Sequence, residues 1–386
     1  MAGLYLHIPF CARRCIYCDF YFVTTARSHA GFIRAMCREI EHRATEYASH
    51  EPIETLYFGG GTPSLLLRDE VDRLLQACHE HFDTRTVSEI TFEMNPDDAG
   101  LTYLRGLRQL GINRLSVGIQ SFYADDLAFM NRSHSELQAR QVIDVAREAG
   151  FDNFSVDLIF GLPDQPAEYW AANLERVVKA GVPHVSTYSL TVEERTVLHN
   201  RVERGLVVPA DDGLLADRYR FTMDFLKDHG YEHYEISSFA LPGARSVHNS
   251  RYWSHHNYLG FGPSAHSFWW RGLPARRWAN VRNLASYESL VDGRQEPVDF
   301  RESLSLDTLA DEYLMLALRT GDGLDLDLLE DRYGTDLLDD RLEVLADLES
   351  AHLIHPIRNR RLRLTDLGKT LCDAVTTRLL PDSASS

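Results

Sequence analysis

Three thiols stand close together near the start of the chain, in Cys11-Ala12-Arg13-Arg14-Cys15-Ile16-Tyr17-Cys18. Thiolates are metal ligands, and three of them on one loop of a 386-residue chain with six cysteines read as a metal site rather than a disulfide framework. The C-x3-C-x2-C spacing differs from both ferredoxin patterns, which supply four thiolates to a cluster. Three ligands on a 4Fe-4S cluster leave one iron open. The runner-up is a zinc site of the three cysteines with His7 as a fourth ligand. Cys37, Cys78 and Cys372 fall inside helical patterns, where core packing is the expectation.

Further along, polar groups recur where short apolar runs end. Gly59-Gly60-Gly61-Thr62-Pro63-Ser64, Glu93 in Phe92-Glu93-Met94-Asn95-Pro96, Gln120 in Val117-Gly118-Ile119-Gln120-Ser121-Phe122 and Asp157 before Phe160-Gly161-Leu162-Pro163 all sit this way. Arg132 lies in Asn131-Arg132-Ser133. An arginine offers a forked donor to a carboxylate, and Asp or Gln can share hydroxyl bonds with a sugar. The bland readings stay open as well: a tight turn for the glycines, and a structural partner for Arg114 in the case of Glu93. In His248-Asn249-Ser250-Arg251-Tyr252-Trp253 an imidazole that can ligate iron axially stands beside two flat aromatics, a set that also suits plain packing. His266, in Gly260-Phe261-Gly262-Pro263-Ser264-Ala265-His266, faces a cofactor or caps a loop, and Tyr231-Glu232-His233-Tyr234 carries the same ambiguity.

The cysteine motif after a first strand resembles the radical S-adenosylmethionine (SAM) superfamily. His7-Ile8-Pro9-Phe10-Cys11, the glycine turn and Val117–Phe122 are similar, more narrowly, to the oxygen-independent coproporphyrinogen III oxidase group and its heme-chaperone relatives, the HemW branch, over almost the whole chain. This resemblance implies that Cys11, Cys15 and Cys18 hold a 4Fe-4S cluster whose open iron takes the amino and carboxylate groups of SAM. It implies that Gly60, Gly61 and Thr62 meet the methionine end of SAM, and that Glu93, Gln120, Arg132, Asp157 and Tyr5 hold the rest of it. It also implies heme at His248. Two departures point toward the chaperones: Phe20 stands where the oxidases carry a further cysteine, and only ten residues precede Cys11. The resulting expectation is a heme carrier that serves a heme-requiring, respiratory acceptor and draws on an electron donor. Oxidative decarboxylation of coproporphyrinogen is the disfavoured alternative, so enzyme activity is left open.

These groups need a scaffold, and residues 3 to 240 supply repeated βα units. Strands are expected near Leu4–Ile8, Thr55–Phe58, Glu89–Glu93, Arg114–Gly118, Asn153–Leu158, His184–Leu190 and Tyr231–Ile236. Helical spacing marks Gly31–Tyr47, Arg68–Phe82, Leu101–Gln109, Glu136–Ala149 and Asp217–His229. The fold class expected is α/β, a partial TIM-type (β/α) barrel, because no Gly-x-Gly-x-x-Gly turn opens the first helix. Residues 1–240 would form the barrel, 241–300 a closing segment, 301–380 a small helical, winged-helix-like domain, and 381–386 a tail. Its helices are expected over Thr308–Leu318, Leu324–Tyr333, Leu338–Ala351 and Asp366–Leu379, with a basic turn at Arg358–Arg361. A net charge of -17 repels phosphate backbones and disfavours nucleic acid as a partner. No window approaches the roughly 20 apolar residues of a spanning helix, and the chain starts without a basic-then-apolar signal segment. A cytoplasmic protein, at the membrane only transiently while delivering heme, is the expectation.

Overall fold

The computed structural model describes residues 1–24 and 29–381, so most of the expected tail lies outside the described residues. Six parallel strands run side by side in chain order: β1 (Ala2–Ile8), β2 (Ile53–Gly60), β3 (Glu89–Met94), β4 (Arg114–Gln120), β5 (Phe154–Phe160) and β6 (His184–Ser189). Beyond β6 come β7 (Glu232–Glu235) and β8 (Ser238–Ala240); beyond β1 come β9 (Tyr258–Phe261), β10 (His266–Trp269), β11 (Ala275–Asn280) and β12 (Val298–Leu304). The sheet runs from β12 to β7 without joining its ends, so it is an open arc of a barrel.

The seventh expected strand is corrected. Instead of continuing the parallel arc, Glu232–Glu235 pairs antiparallel with β8, which pairs antiparallel with β6. The chain reverses at Ile236-Ser237, where the Glu235 carboxylate accepts the Ser237 N–H at 3.1 Å and holds the hairpin shut.

Parallel strands covered on both faces usually read as continuous apolar runs. Here they alternate. Leu4, Leu6 and Ile8 of β1, Leu56 and Phe58 of β2, and Ile90, Phe92 and Met94 of β3 join one apolar core with the outer helices. Leu115, Val117 and Ile119 of β4 and Phe154, Val156 and Leu158 of β5 do the same. With side chains alternating along a strand, the other set faces the inside of the arc: Tyr5 and His7, Tyr57, Glu89 and Glu93, Arg114 and Ser116, Ser155 and Asp157, His184 and Ser186. Strand register sets these polar groups beside one another, with Tyr5 opposite Tyr57, Glu93 opposite Ser116, and Asp157 opposite Ser186. Outside, the helix Ala30–Tyr47 buries Phe32, Met36 and Ile40, and Glu136–Glu148 buries Ala139, Val142, Ile143 and Ala146 behind a Ser135–Gln138 capping box.

The carboxy-terminal helices enclose a second core around Leu309, Tyr313, Leu329, Tyr333, Leu348 and Val375, and this core includes Phe268, Ala275 and Leu304 of the sheet. Three expected helices are interrupted. Leu324–Asp325 forms a short strand paired with Arg361–Leu362, and Asp325 then caps the helix Leu326–Tyr333 by accepting the Leu328 N–H. The stretch from 338 divides at Arg341 into Leu337–Asp340 and Leu342–Ser350, and the last one divides at Leu371 into Asp366–Thr370 and Cys372–Leu379. The basic turn is engaged within the domain, Arg360 with Asp327 and Glu330 and Arg361 with Asp325.

At the floor of the arc the buried Glu89 carboxylate accepts the N–H groups of Val247 and His248 at 2.9 and 3.0 Å and faces the buried Arg114 guanidinium at 4.0 Å. Arg114 therefore has its acid in Glu89. Replacing Glu89 by Ala strands a buried cation and two N–H groups, and is expected to cost about 3–5 kcal/mol. Urea unfolding followed by circular dichroism checks this; a loss below about 1 kcal/mol would contradict it.

Candidate functional site

The cysteine loop leaves the carboxy-terminal end of β1 and is tied down at several points. The Cys11 N–H donates to Val23 O at 3.0 Å, the Ile16 N–H to Met130 O at 3.2 Å, and the Leu198 N–H to Ile16 O at 2.8 Å. Asn131 Nδ2 donates to Arg14 O at 2.7 Å. Beneath the loop, β2 ends in Gly60, whose φ of 108° lies in the region that favours glycine. A Cβ on Gly61 would come within 2.7 Å of Phe10 O and 3.1 Å of Cys11 Sγ, so the absent side chain is what lets the turn pass under the cysteines.

One cavity of about 590 Å³ is lined by Cys11, Cys15 and Cys18 together with Gly60, Gly61, Thr62, Glu93, Gln120, Arg132 and Asp157. Ten of the twelve residues singled out from the sequence thus meet at the carboxy-terminal mouth of the arc, where barrel active sites form. The Thr62 hydroxyl points at Cys11 Sγ at 3.6 Å. Arg132 donates to Cys15 Sγ at 3.3 Å, to Asn95 Oδ1 at 2.6 Å and to Gly118 O at 2.8 Å. Glu93 accepts from Tyr57 Oη at 2.7 Å and from the Gly60 N–H at 3.1 Å. Asp157 accepts from Ser116 Oγ at 3.2 Å. Gln120 sits at a φ of 66°, next to a register shift between β4 and β5.

The two remaining residues lie elsewhere. Tyr5 lines a neighbouring cavity, its ring stacked on Tyr57 at 5.9 Å and its hydroxyl 3.3 Å from His7 Nδ1. His248 is 1% exposed, with Nδ1 at 2.8 Å from Thr55 Oγ1 and Nε2 at 2.8 Å from Tyr252 Oη. As placed, both its ring nitrogens are taken. His7 bonds Tyr21 O through Nε2 at 3.1 Å, has Tyr5 Oη beside Nδ1, and lines the neighbouring cavity rather than the one lined by the cysteines.

The donor set fits the group that the cysteine spacing implies. Arg132 Nε is buried without a hydrogen-bond partner, a free donor beside Cys15 for the carboxylate of an amino-acid-bearing cofactor. Among the described residues no three His, Cys, Asp or Glu side chains stand together as a metal site. Burial pushes the Cys18 thiol up to about 12 and the Cys11 thiol upward. Metal loading then displaces protons from thiols.

With this geometry in view, the Radical SAM superfamily model matches residues 5–177 and the HemN C-terminal domain model matches residues 304–371. The heme chaperone HemW of Lactococcus lactis is 34% identical over 379 residues, 98% of this chain and 97% of that protein. The heme chaperone HemW of Mycobacterium tuberculosis is 35% identical over 383 residues, 98% of this chain and 94% of that protein. Among solved structures, the coproporphyrinogen III oxidase HemN of Escherichia coli, described as a radical SAM enzyme, superposes with a TM-score of 0.83 at 25% identity, covering 98% of this chain and 90% of that one. The chain belongs to the HemW family of radical SAM proteins. Membership of that superfamily implies a 4Fe-4S cluster and SAM. Among the described residues no helix is long and apolar enough to cross a membrane.

Asn95 and Tyr57 are the partners that sequence reading missed. Asn95 was legible as the polar residue that ends β3 before Pro96, and Tyr57 as the inward-facing residue across the register from Thr91, two residues before Glu93. Their pairings connect different strands, which spacing alone does not reveal.

Burial, opposed by the Tyr57 bond and reinforced by the Asp157 charge, raises the Glu93 carboxyl to about 7, and burial raises Asp157 as well. Unfolded, Glu93 titrates at its ordinary 4.5. Between these values the folded chain keeps a proton that the unfolded chain loses, so this contribution to stability is full below 4.5 and is lost as pH rises through 7. Glu93→Gln imitates the protonated form. The metal-free variant is expected to gain on the wild type as pH rises from 5 to 8 in chemical denaturation, with burial of a charge relieved; parallel pH curves for the two proteins would contradict the assignment.

Proposed function

We propose that this protein is a heme chaperone: it holds a 4Fe-4S cluster on Cys11, Cys15 and Cys18, holds SAM in the cavity beside them, binds heme and passes it to a heme-requiring acceptor. The observation that carries the reading is likeness across essentially the whole chain to proteins named heme chaperones. Phe20 supports it from this chain's own residues, standing where the coproporphyrinogen oxidases carry a further cysteine. When bound, a reduced cluster supplies the electron that can break a carbon–sulfur bond of SAM.

The residues around that cavity bind and orient. Gly60 and Gly61 admit the methionine end of SAM, with Thr62 held against Cys11. Arg132 offers its free Nε–H to the methionine carboxylate while Asn95 and the Gly118 carbonyl fix its plane. Glu93 takes up one proton near neutrality and serves the amino end; Gln120 and Asp157 serve the ribose hydroxyls. Tyr5 acts from the next cavity by fixing His7. The acceptor we favour is a respiratory enzyme at the cytoplasmic face of a membrane, visited transiently, and a separate protein donates electrons to the cluster.

A second reading, oxidative decarboxylation of coproporphyrinogen, is favoured by the structural likeness to the oxidase alone. One experiment separates the two. Anaerobically reconstituted protein is titrated with heme, and a second portion receives SAM, reductant and coproporphyrinogen III while products are resolved by chromatography. Tight heme binding without protoporphyrinogen is the expected result. Sustained conversion of coproporphyrinogen would overturn the chaperone reading.

A further inference from the structure

A second cavity, about 530 Å³, opens next to the cysteines on the other side of β1, and Asp19 and Phe20 line both cavities. Its volume lies within the roughly 300–1,000 Å³ range of cofactor-sized sites. The walls are aromatic: Tyr5 from β1, Tyr252 from the helix Val247–Trp253, Tyr258 from β9 and Phe268 from β10. The helix Leu306–Leu318 of the carboxy-terminal domain covers it with Glu312, Met315 and Leu316. Phe20 is 65% exposed at the rim, an apolar ring that no group of this chain covers among the described residues.

Four histidines line this cavity: His7, His255, His256 and His266. Three are occupied. His7 is held by Tyr21 O and Tyr5 Oη, as described above. His255 stands 3.1 Å from Tyr333 Oη and 3.3 Å from a Glu312 carboxylate oxygen. His256 stands 3.0 Å from Ser254 O and 3.1 Å from the Arg251 guanidinium. His266 alone keeps both ring nitrogens unengaged among the described residues, and it is exposed to the cavity. Burial, together with the Arg277 and Arg282 charges, lowers its pKa, which favours the neutral imidazole that binds metals.

The cations of the cavity differ in the same way. Arg277 is spent on Glu302 and Glu312. Arg282 is exposed and, among the described residues, donates only to the Asp19 carbonyl, at 3.3 Å. A flat apolar ligand fits between the aromatic walls, an iron with an open axial position fits His266, and a carboxylate fits Arg282.

We propose that heme sits in this second cavity, with His266 as its axial iron ligand and Arg282 pairing with a propionate. The inference rests on the heme-chaperone reading above and gives that reading a site. It also gives the H-N-x-x-Y-W motif a different division of labour. Tyr252 forms part of the heme-facing wall, and His248 is a positioning residue that holds the Tyr252 hydroxyl from behind while Thr55 holds His248. Phe20 closes the edge nearest the cluster loop.

The test is heme titration of the full chain, cluster loaded, followed by Soret absorbance and by resonance Raman of the iron–ligand vibration. His266→Ala is expected to lose the histidine-ligated spectrum and to weaken binding roughly tenfold or more, with iron–sulfur content and melting temperature unchanged. His266→Met should move the spectrum to that of a thioether-ligated heme. Arg282→Ala should weaken binding without altering the ligand spectrum, and His248→Gln should keep the histidine-ligated spectrum. If the wild type binds no heme, the chaperone reading itself fails. If the wild type binds heme and His266→Ala retains both affinity and spectrum, the placement fails while the chaperone reading stands.

Discussion

The protein is organised around a polar pleat buried inside an arc of parallel strands. An unsatisfied buried donor or acceptor costs on the order of 1–3 kcal/mol, so a polar inner face cannot be tolerated singly. Most inward groups accordingly bond a partner on a neighbouring strand or an adjoining segment. Tyr57 of β2 donates to Glu93 of β3, Ser155 of β5 to Ser116 of β4, and Ser116 to Asp157, while Arg114 of β4 faces Glu89 of β3. The apolar half of each strand, packed on helices, supplies the stability that makes this polar interior affordable. Toward the carboxy-terminal mouth the network is left incomplete. Arg132 Nε has no partner there, and Glu93 and Asp157 face each other with raised pKa values. An incomplete buried network is what a ligand completes.

β1 divides the mouth into two compartments. One holds the thiols and the strand-end acids, with Arg132 joining the cysteine loop to Asn95 and Gly118. The other holds Tyr5, His7 and His266 under the carboxy-terminal domain. Asp19 and Phe20 stand at the boundary, directly after Cys18, so the segment that follows the last cluster ligand is also a wall of the second compartment. In the proposed scheme, cluster and heme are therefore neighbours that share a loop without sharing ligands.

Much of the scaffold was legible because its signals are local. The β-branched and aromatic runs located β1 to β6, and the cysteine spacing located the loop; β9, which also runs parallel to β1, was not among the expected strands. The alternation in Thr55-Leu56-Tyr57-Phe58 and in Glu89-Ile90-Thr91-Phe92-Glu93 was also present in the sequence, as a sign that one face of a parallel sheet had a polar task. Less legible was whatever depended on distant partners. Nothing local tells that Glu232–Glu235 folds back on β8, because β8 is held by antiparallel pairing with β6 and the Ile236 N–H by Arg319 O, far along the chain. Leu324–Asp325 is a strand rather than the first turn of a helix because it pairs with Arg361–Leu362. The site residues divide along the same line. Cys11, Cys15, Cys18, Arg132 and Glu93 converge as strand-end placement requires, whereas Tyr5 turns to the neighbouring compartment and His248 is locked between Thr55 and Tyr252. His266 looked no more distinctive than His255 or His256 until the hydrogen bonds of the other two were known.

The central claim is that one chain carries two adjacent compartments, one for the cluster with SAM and one for heme, filled independently. Anaerobic native mass spectrometry of the reconstituted protein, with SAM and heme added singly and together, tests it most directly. The account predicts a species holding the cluster, SAM and heme on a single chain, with each ligand bound as tightly in the presence of the other to within roughly threefold. Mutual exclusion, in which adding heme expels SAM or SAM expels heme, would place both in one cavity and contradict the account.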